Sequence, residues 1–324
     1  MESEVARLAR EFKDAVVAGS DDVITELVKR WLGVEQALEG EILALIEAYV
    51  ESGEVFPSDS ALFRDERFLA LMAQVQGEIN RFARATDPIV ERSQFDTANQ
   101  GLVDAGSLIG VADVTFSRLP VEAVQNIVSI ARAGKPLGDL LQARYPLTAQ
   151  AVATQLINGV ALGYNPRKTA RLIVQNGLSQ GLNHTLLVAR DQQLRAYKQA
   201  SLQAYRASGV VRGYHRLAAK NRRTCLSCLQ DDGNFYPLDE DMPQHPQCRC
   251  TRVPALIDAP PPVWTTGREW FDVQPEATQR KMMGNRRFEA WQKKKFTFDD
   301  LTKIHQNPTW GASNQVTPLR ELLS

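Results

Sequence analysis

The stretch Thr224–Cys250, TCLSCLQDDGNFYPLDEDMPQHPQCRC, contains all four cysteines of a 324-residue chain. Such crowding in a turn-rich segment points to a task that needs thiols: a metal, a disulfide pair or a nucleophile. A tetrahedral zinc site needs four donors at about 2.3 Å for sulfur and about 2.0 Å for nitrogen, so its ligand atoms lie within roughly 4 Å of one another. Two donors separated by two residues in a tight turn meet that demand. Cys225 with Cys228 form one such knuckle and His245 with Cys248 a second, giving C-x2-C-x16-H-x2-C, with Gly233, Pro243 and Pro246 to shape the turns. Cys250 is a fifth candidate. If residues 248–250 are extended, side chains two apart face the same way at roughly 7 Å, too far to share one ion. The spacing therefore favours Cys225, Cys228, His245 and Cys248, and leaves open Cys250 in place of His245. Four protein ligands fill the coordination sphere, so a zinc held this way is structural.

Three other uses of these thiols compete. One is a local disulfide, or plain burial around a small β-structure. A second is a nucleophile, but His184, His215 and His305 show no local pattern tying them to a cysteine. A zinc deaminase needs H-x-E ahead of P-C-x-x-C. Here Arg216 and Leu217 follow His215, and Thr224 precedes Cys225.

Lysine plus arginine equal aspartate plus glutamate at 38 each, which leaves no net field to steer the whole molecule toward nucleic acid or an anionic membrane. The opening MESEVARLAREFKDAVV lacks the apolar core of a signal peptide. No stretch reaches the ~20 apolar residues of a membrane span, so the chain is expected to be cytosolic at synthesis, with no membrane partner. In that reducing setting a metal site or catalytic group is favoured over a disulfide framework.

Upstream, apolar residues recur at helical spacing. Ile24, Leu27, Val28, Trp31, Leu38, Ile42, Leu45 and Tyr49 predict one amphipathic helix, with Ser20, Asp21 and Asp22 at its N-terminal end. Phe68, Met72, Val75, Ile79 and Phe82 predict a second that ends before Pro88. Val152, Leu156 and Val160 mark a third that stops near Gly163. Asn165-Pro166 reads as an N-cap followed by proline in the first turn, opening a helix through Leu172 toward Gly177. The next helix runs from Leu186 to Tyr205 and ends at Ser208-Gly209. Strands are predicted at Val210–Leu217 and Thr251–Leu256, flanking the cysteine segment.

Downstream, Ala259-Pro260-Pro261-Pro262 reads as a stiff linker. Four of the five tryptophans, Trp264, Trp270, Trp291 and Trp310, follow it and could build a small satellite core. The expected fold is mainly α with a small α+β cysteine-rich module. Its parts are a helical N-terminal region (1–140), a central domain (141–257) with the cysteine–histidine module at 221–256, a proline-rich linker (258–264) and a short helical C-terminal unit (265–324).

Lys220, Arg222, Arg223, Arg249 and Arg252 surround the knuckles, but Asp231, Asp232, Asp239, Glu240 and Asp241 lie between them, so internal pairing is expected over phosphate binding. The run Arg286, Arg287, Lys293, Lys294 and Lys295, with Phe288 and Trp291 interleaved, suits nucleic acid. It suits better an amphipathic helix docking its aromatic face with lysines in water.

The order of an arginine-bearing helix at Arg190, C-x-x-C at Cys225 and Cys228, a turn at Asp232-Gly233, and His245-Pro246-x-Cys248-Arg249-Cys250 before Pro254 resembles the phage head morphogenesis family, the Mu F-like or minor head protein domain. The likeness runs from about residue 145 to 257, and residues 266–301 resemble a tail that often follows this domain. One departure is Asp191, where threonine is common. The resemblance implies a non-enzymatic minor capsid protein of a tailed bacteriophage. It implies association with the portal protein at the portal vertex during head assembly, with a part in DNA packaging or ejection. Major capsid or scaffolding protein are further partners on this view, as is packaged DNA through Arg286, Arg287, Lys293, Lys294 and Lys295. The location is the virion, after assembly in the host cytoplasm. The alternatives are a zinc-containing DNA-binding virion protein and a metal-dependent hydrolase with Asp231 or Glu240 as base.

Overall fold

A computed structural model describes residues 2–54, 58–110, 137–307 and 311–324. The chain forms two compact units, each discontinuous in sequence. Among described residues one holds 20–54, 58–93 and 137–192; the other holds 2–19, 94–110, 193–307 and 311–324.

The all-helical unit is built from α1 (Glu4–Ser52), the short α2 (Asp59–Leu62), α3 (Glu66–Gly110), α4 (Leu137–Ala161), α5 (Pro166–Leu172), a π-helical turn (Ile173–Leu178) and the start of α6 (Ser179–Ser208). Its core joins Trp31, Leu38, Ile42 and Tyr49 of α1 to Phe68, Val75 and Phe82 of α3 and to Val152 and Leu156 of α4. Trp31 meets Phe82 edge to face, with ring centroids 5.0 Å apart. Such a pair adds about 0.5–1.5 kcal/mol beyond its buried area. Val28 is the exception to the predicted α1 stripe, being partly exposed.

Three predicted helix ends are wrong, one of them the start of α6, which lies at Ser179 rather than Leu186. Ser20 lies inside α1, buried, and Asp21 engages Arg190 of α6 in an ion pair while its carbonyl accepts from Thr25 Oγ1. The Ser-Asp-Asp cluster imitates a cap, but buried Ala6, Ala9 and Val16 continue the apolar spacing upstream. Likewise α3 runs through Pro88. A mid-helix proline costs about 3 kcal/mol. Here the residues on either side, Phe82, Ala83 and Val90, are all buried and hold the helix in place. Asn165 does cap α5, its side chain accepting the Arg167 N–H at 3.0 Å, and Gly163 and Gly209 end their helices at φ +62° and +68°, which glycine adopts without strain.

Asp65 caps α3. Its Oδ1 accepts the N–H groups of Arg67 and Phe68 at 3.0 and 3.1 Å and the Tyr49 hydroxyl at 2.6 Å. Burial works against its charge, but the bonds from Arg67, Tyr49 and Phe68 outweigh it and lower the carboxyl to about 2. A carboxylate lowered on folding contributes stability above its unfolded value of about 3.9, and that stability is lost as pH falls toward 2. Asp65→Asn is expected to cost about 1 kcal/mol at pH 7, after allowance for solvent screening of its exposed partner Arg67. The variant should also flatten the fall of Tm between pH 4 and 2. Parallel Tm curves for variant and parent would contradict this.

In the other unit, α6 packs Ala196, Ala200, Leu202 and Tyr205 on Ala98, Leu102 and Ala105 of α3 and on Val211 and Tyr214 of β1 (Val211–Leu217). β1 is the centre of an antiparallel sheet, flanked by β2 (Phe235–Pro237) and β3 (Thr251–Leu256). Tyr214 sits opposite Tyr236 on one side and Pro254 on the other. Between β1 and β2 lies a single helical turn, α7 (Leu226–Gln230). The proline segment is anchored at its far end by buried Trp264, which packs on Leu217 and Val253.

The C-terminal part contains α8 (Gly267–Asp272), α9 (Glu276–Met283), α10 (Asn285–Gln292), a 3-10 turn (Phe298–Leu301), an antiparallel hairpin of β4 (Thr302–Asn307) with β5 (Gly311–Val316), and α11 (Leu319–Leu322). The helices match the expected tail; the hairpin was not foreseen. Its strands, TKIHQN and GASNQV, carry too few apolar residues for an alternating pattern. Phe271, Met283, Phe288, Phe298 and Leu301 make a core with two residues from elsewhere, Leu226 and Leu229 of α7. Trp310 lies outside the described residues.

Candidate metal centre

Cys225 is the N-cap of α7: its Sγ accepts the Cys228 N–H at 3.4 Å. The same turn therefore presents both sulfurs on one side. The second group of donors comes from the irregular segment before β3. There the Cys248 N–H closes a turn onto the His245 carbonyl at 3.1 Å, with Gln247 in the left-handed region at φ +60°. A non-glycine residue held there costs of order 1 kcal/mol or more, so the surrounding structure fixes this turn.

His245 Nε2 lies 3.2 Å from both Cys225 Sγ and Cys228 Sγ, and Cys228 Sγ lies 3.9 Å from Cys248 Sγ. The five donors form two triads that share Cys228: Cys225, Cys228 and His245, then Cys228, Cys248 and Cys250, each with its ligand atoms within 4.8 Å of one another. Cys248 and Cys250 thus stand together, against the 7 Å expected for an extended segment, because residues 245–250 are irregular and β3 begins only at Thr251. All four cysteines are free. The 3.9 Å between the Cys228 and Cys248 sulfurs is far from the ~2.05 Å of a disulfide.

Charge is concentrated here. Arg216 of β1, fully buried, directs Nη2 at Cys228 Sγ (3.2 Å) and Cys248 Sγ (3.5 Å), while Nη1 donates to the Pro243 carbonyl at 2.9 Å and to Asp231 Oδ2 at 3.3 Å. Buried Lys198 of α6 donates to the Cys248 carbonyl at 2.5 Å and to Gln244 Oε1 at 2.9 Å. The hydrogen bond from Cys228, helped by His245 and opposed by burial, lowers the Cys225 thiol to about 4. Bonds from Cys228 and Cys250, with Lys198 and Arg216 near, lower Cys248 as well. Burial disfavours a charged His245, yet the bond to Cys225 and the adjacent sulfur charge lift it to about 9. Thiolates are the metal-binding form of cysteine, and a metal bound here would displace the proton that the sulfurs hold on His245, since it takes the imidazole neutral.

The sequence reading missed Arg216 and Lys198. The available signal was weak: an arginine at position 216 of β1, at a register position opposite another arginine, Arg252. Other candidate residues fall elsewhere. His215 bonds the Gly233 carbonyl at 2.9 Å and packs on Phe235 and Trp264; His305 is exposed on β4. The His184 side chain lies outside the described residues.

Of the basic residues near the knuckles, Lys220 pairs with Asp232 at 2.8 Å and Arg252 pairs with Asp241, while Arg222 and Arg223 are exposed. The expected internal pairing is present, but two of its cations are buried. Asp231 Oδ2 also accepts from Asn314 of β5 at 2.9 Å. Glu240 is exposed and lends its carbonyl to the Tyr214 hydroxyl at 2.9 Å. On α10, Phe288 is buried and Arg287 donates to the Met283 and Thr317 carbonyls at 3.1 Å each, while Arg286, Lys293, Lys294 and Lys295 are exposed.

These elements define a mainly helical protein, one unit of which carries a small cysteine–histidine cluster able to hold a metal ion. Residues 150–253 match the family model described as Phage Mu protein F like protein. The match covers about a third of the chain, and over that stretch the chain is similar to the Phage Mu F-like family. The match takes in Arg190 and all five candidate donors. No curated protein and no solved structure matches the chain. Among the described residues no helix is long and apolar enough to cross a membrane.

Proposed function

We propose that the protein is a minor capsid component of a tailed bacteriophage, joining the portal vertex during head assembly, with a structural zinc ion stapling its cysteine module. The observation that carries this is the convergence of four cysteines and His245 inside the stretch similar to the Phage Mu F-like family. The donor set fits zinc in softness, and three sulfurs with the imidazole, or the four sulfurs alone, make up the four ligands of a tetrahedron.

A staple rather than a reaction centre is favoured by the surroundings. Asp231, the carboxylate that reaches the cluster, is already engaged by Arg216 and Asn314 and is not free to act as a base. Four protein ligands also leave no position for substrate. The helical unit, with its long α1 and α3, then supplies faces for assembly partners.

Native mass spectrometry of the purified chain, alone and mixed with portal protein from the same phage, tests both parts. One zinc per chain and a complex of defined stoichiometry are expected. A chain free of metal would overturn the staple, and one that ignores the portal would overturn the assembly role.

A further inference from the structure

Helix α1 carries a second stripe beside its core stripe. Val28, Leu32, Glu35, Glu39 and Leu43 recur at helical spacing, and Val28 and Leu32 are exposed, Leu32 by half. Between this stripe and the passage from α5 into the π-helical turn runs an open groove of about 370 Å³, wholly within the all-helical unit. Leu32, Leu43, Ala170 and Val174 give it apolar lining. Turns of π-helix are rare and concentrate at functional sites. In this one Ile173, Gly177 and Leu178 are buried while Val174 lines the groove, so the irregular turn shapes its wall.

The two walls carry opposite charge. Glu35 and Glu39 stand on the α1 side, Arg167 and Arg171 on the α5 side. Each wall sets like charges four residues apart, which works against its own helix. Nothing in the chain offsets this: among the described residues Glu39, Arg167 and Arg171 have no ion-pair partner. Glu35 is held in place by the Trp31 Nε1 donor at 3.0 Å.

Residues 32–43 span roughly 16 Å along α1, about three helical turns. The groove therefore suits an apolar ridge of that length, with a cationic flank toward Glu35 and Glu39 and an anionic flank toward Arg167 and Arg171. An amphipathic helix has this form. Nucleic acid or an anionic membrane would meet like charge on the acidic wall, and a second copy would set one concave face against another. Resting on the portal association proposed above, we infer that this groove receives an amphipathic helix of the portal protein. The asymmetry of the walls also fixes the direction in which that helix runs, since reversing it would set like charges together on both sides.

Titration of the full chain with purified portal protein tests this, using the parent, Leu32→Asp, and a double variant of Arg167→Glu with Arg171→Glu. Each altered side chain is exposed, so the fold should stand. Both variants should bind about tenfold more weakly or worse, as expected for loss of a central anchor. A control carrying Arg64→Glu and Arg84→Glu, exposed residues of the same unit outside the groove, should bind as the parent does. Hydrogen exchange of the parent complex needs no variant, and should show new protection at 28–43 and 167–175 and along one portal helix. Full binding by both groove variants, equal weakening in the control, or a portal complex without protection at the groove would overturn the inference and leave the assembly role intact. Self-association of the parent through these residues would overturn it in favour of a second copy. A parent that forms no portal complex would sink the assembly role and this inference together, a result distinct from the others.

Discussion

Cys228→Ser is expected to unfold the cysteine module and to release the C-terminal helices and hairpin with it. Cys228 belongs to both donor triads, so no alternative set of four can spare it. Structural zinc in small modules supplies about 10–16 kcal/mol of apparent binding energy, as much as the whole stability of an ordinary domain. The damage should spread because α7 has two sides in use. Cys225 and Cys228 face His245, while Leu226 and Leu229 are buried among Phe271, Phe288, Phe298 and Leu301. Packing on that side is close: a Cβ added at Gly267 would come within 2.2 Å of the Leu229 carbonyl. Hydrogen exchange at Phe271, Phe288 and Leu301 is the measurement, with chelator-treated parent as a second route to the same state. Protection that persists at these amides in the variant would mean that the C-terminal core stands without the metal.

Asp232→Ala is expected to cost about 3–5 kcal/mol, the usual penalty for leaving one member of a buried ion pair alone. Asp232 accepts from Lys220 Nζ at 2.8 Å, from the Ala218 N–H at 2.6 Å and from Trp264 Nε1 at 3.3 Å. The pair is almost sealed, the Asp232 side chain at 0% and that of Lys220 at 5% exposure. Removing the carboxylate strands an ammonium and two N–H donors together. Replacing both partners, Lys220→Met with Asp232→Leu, should recover much of the loss, since apolar groups of similar size can substitute for a buried pair. Denaturant unfolding of the parent and both variants compares them. Equal losses in the single and double variants would show that the unpaired charge is not the source.

How far such features can be read from sequence depends on whether their cause is local. The Asn165-Pro166 start, the Gly163 and Gly209 stops and the strands beside the cysteine segment all rest on backbone preferences of one or two residues, and they stand where expected. Ser20 and Pro88 carry the same kind of local preference, yet each lies inside a helix because buried neighbours outweigh it. The β4–β5 hairpin had no apolar alternation to announce it, as its Asn314 and Ser313 are buried polar residues rather than apolar ones. At the cysteine–histidine cluster, the residues that come together were legible from their spacing. Arg216 and Lys198 were not, because a charged residue reveals its burial only when the fold brings sulfur and carbonyl oxygens around it.

The double use of α7 also sets a rule for recombination among related genes. The proline segment 258–264 looks like a natural seam at which one C-terminal unit could be exchanged for another. A foreign unit joined there would arrive without the two leucines that complete its core, Leu226 and Leu229, which are encoded upstream, between and beside the cysteines. Successful exchanges must therefore carry the cysteine turn and the C-terminal unit as one inherited block, and positions 226 and 229 should vary in step with the aromatic residues at 271, 288 and 298.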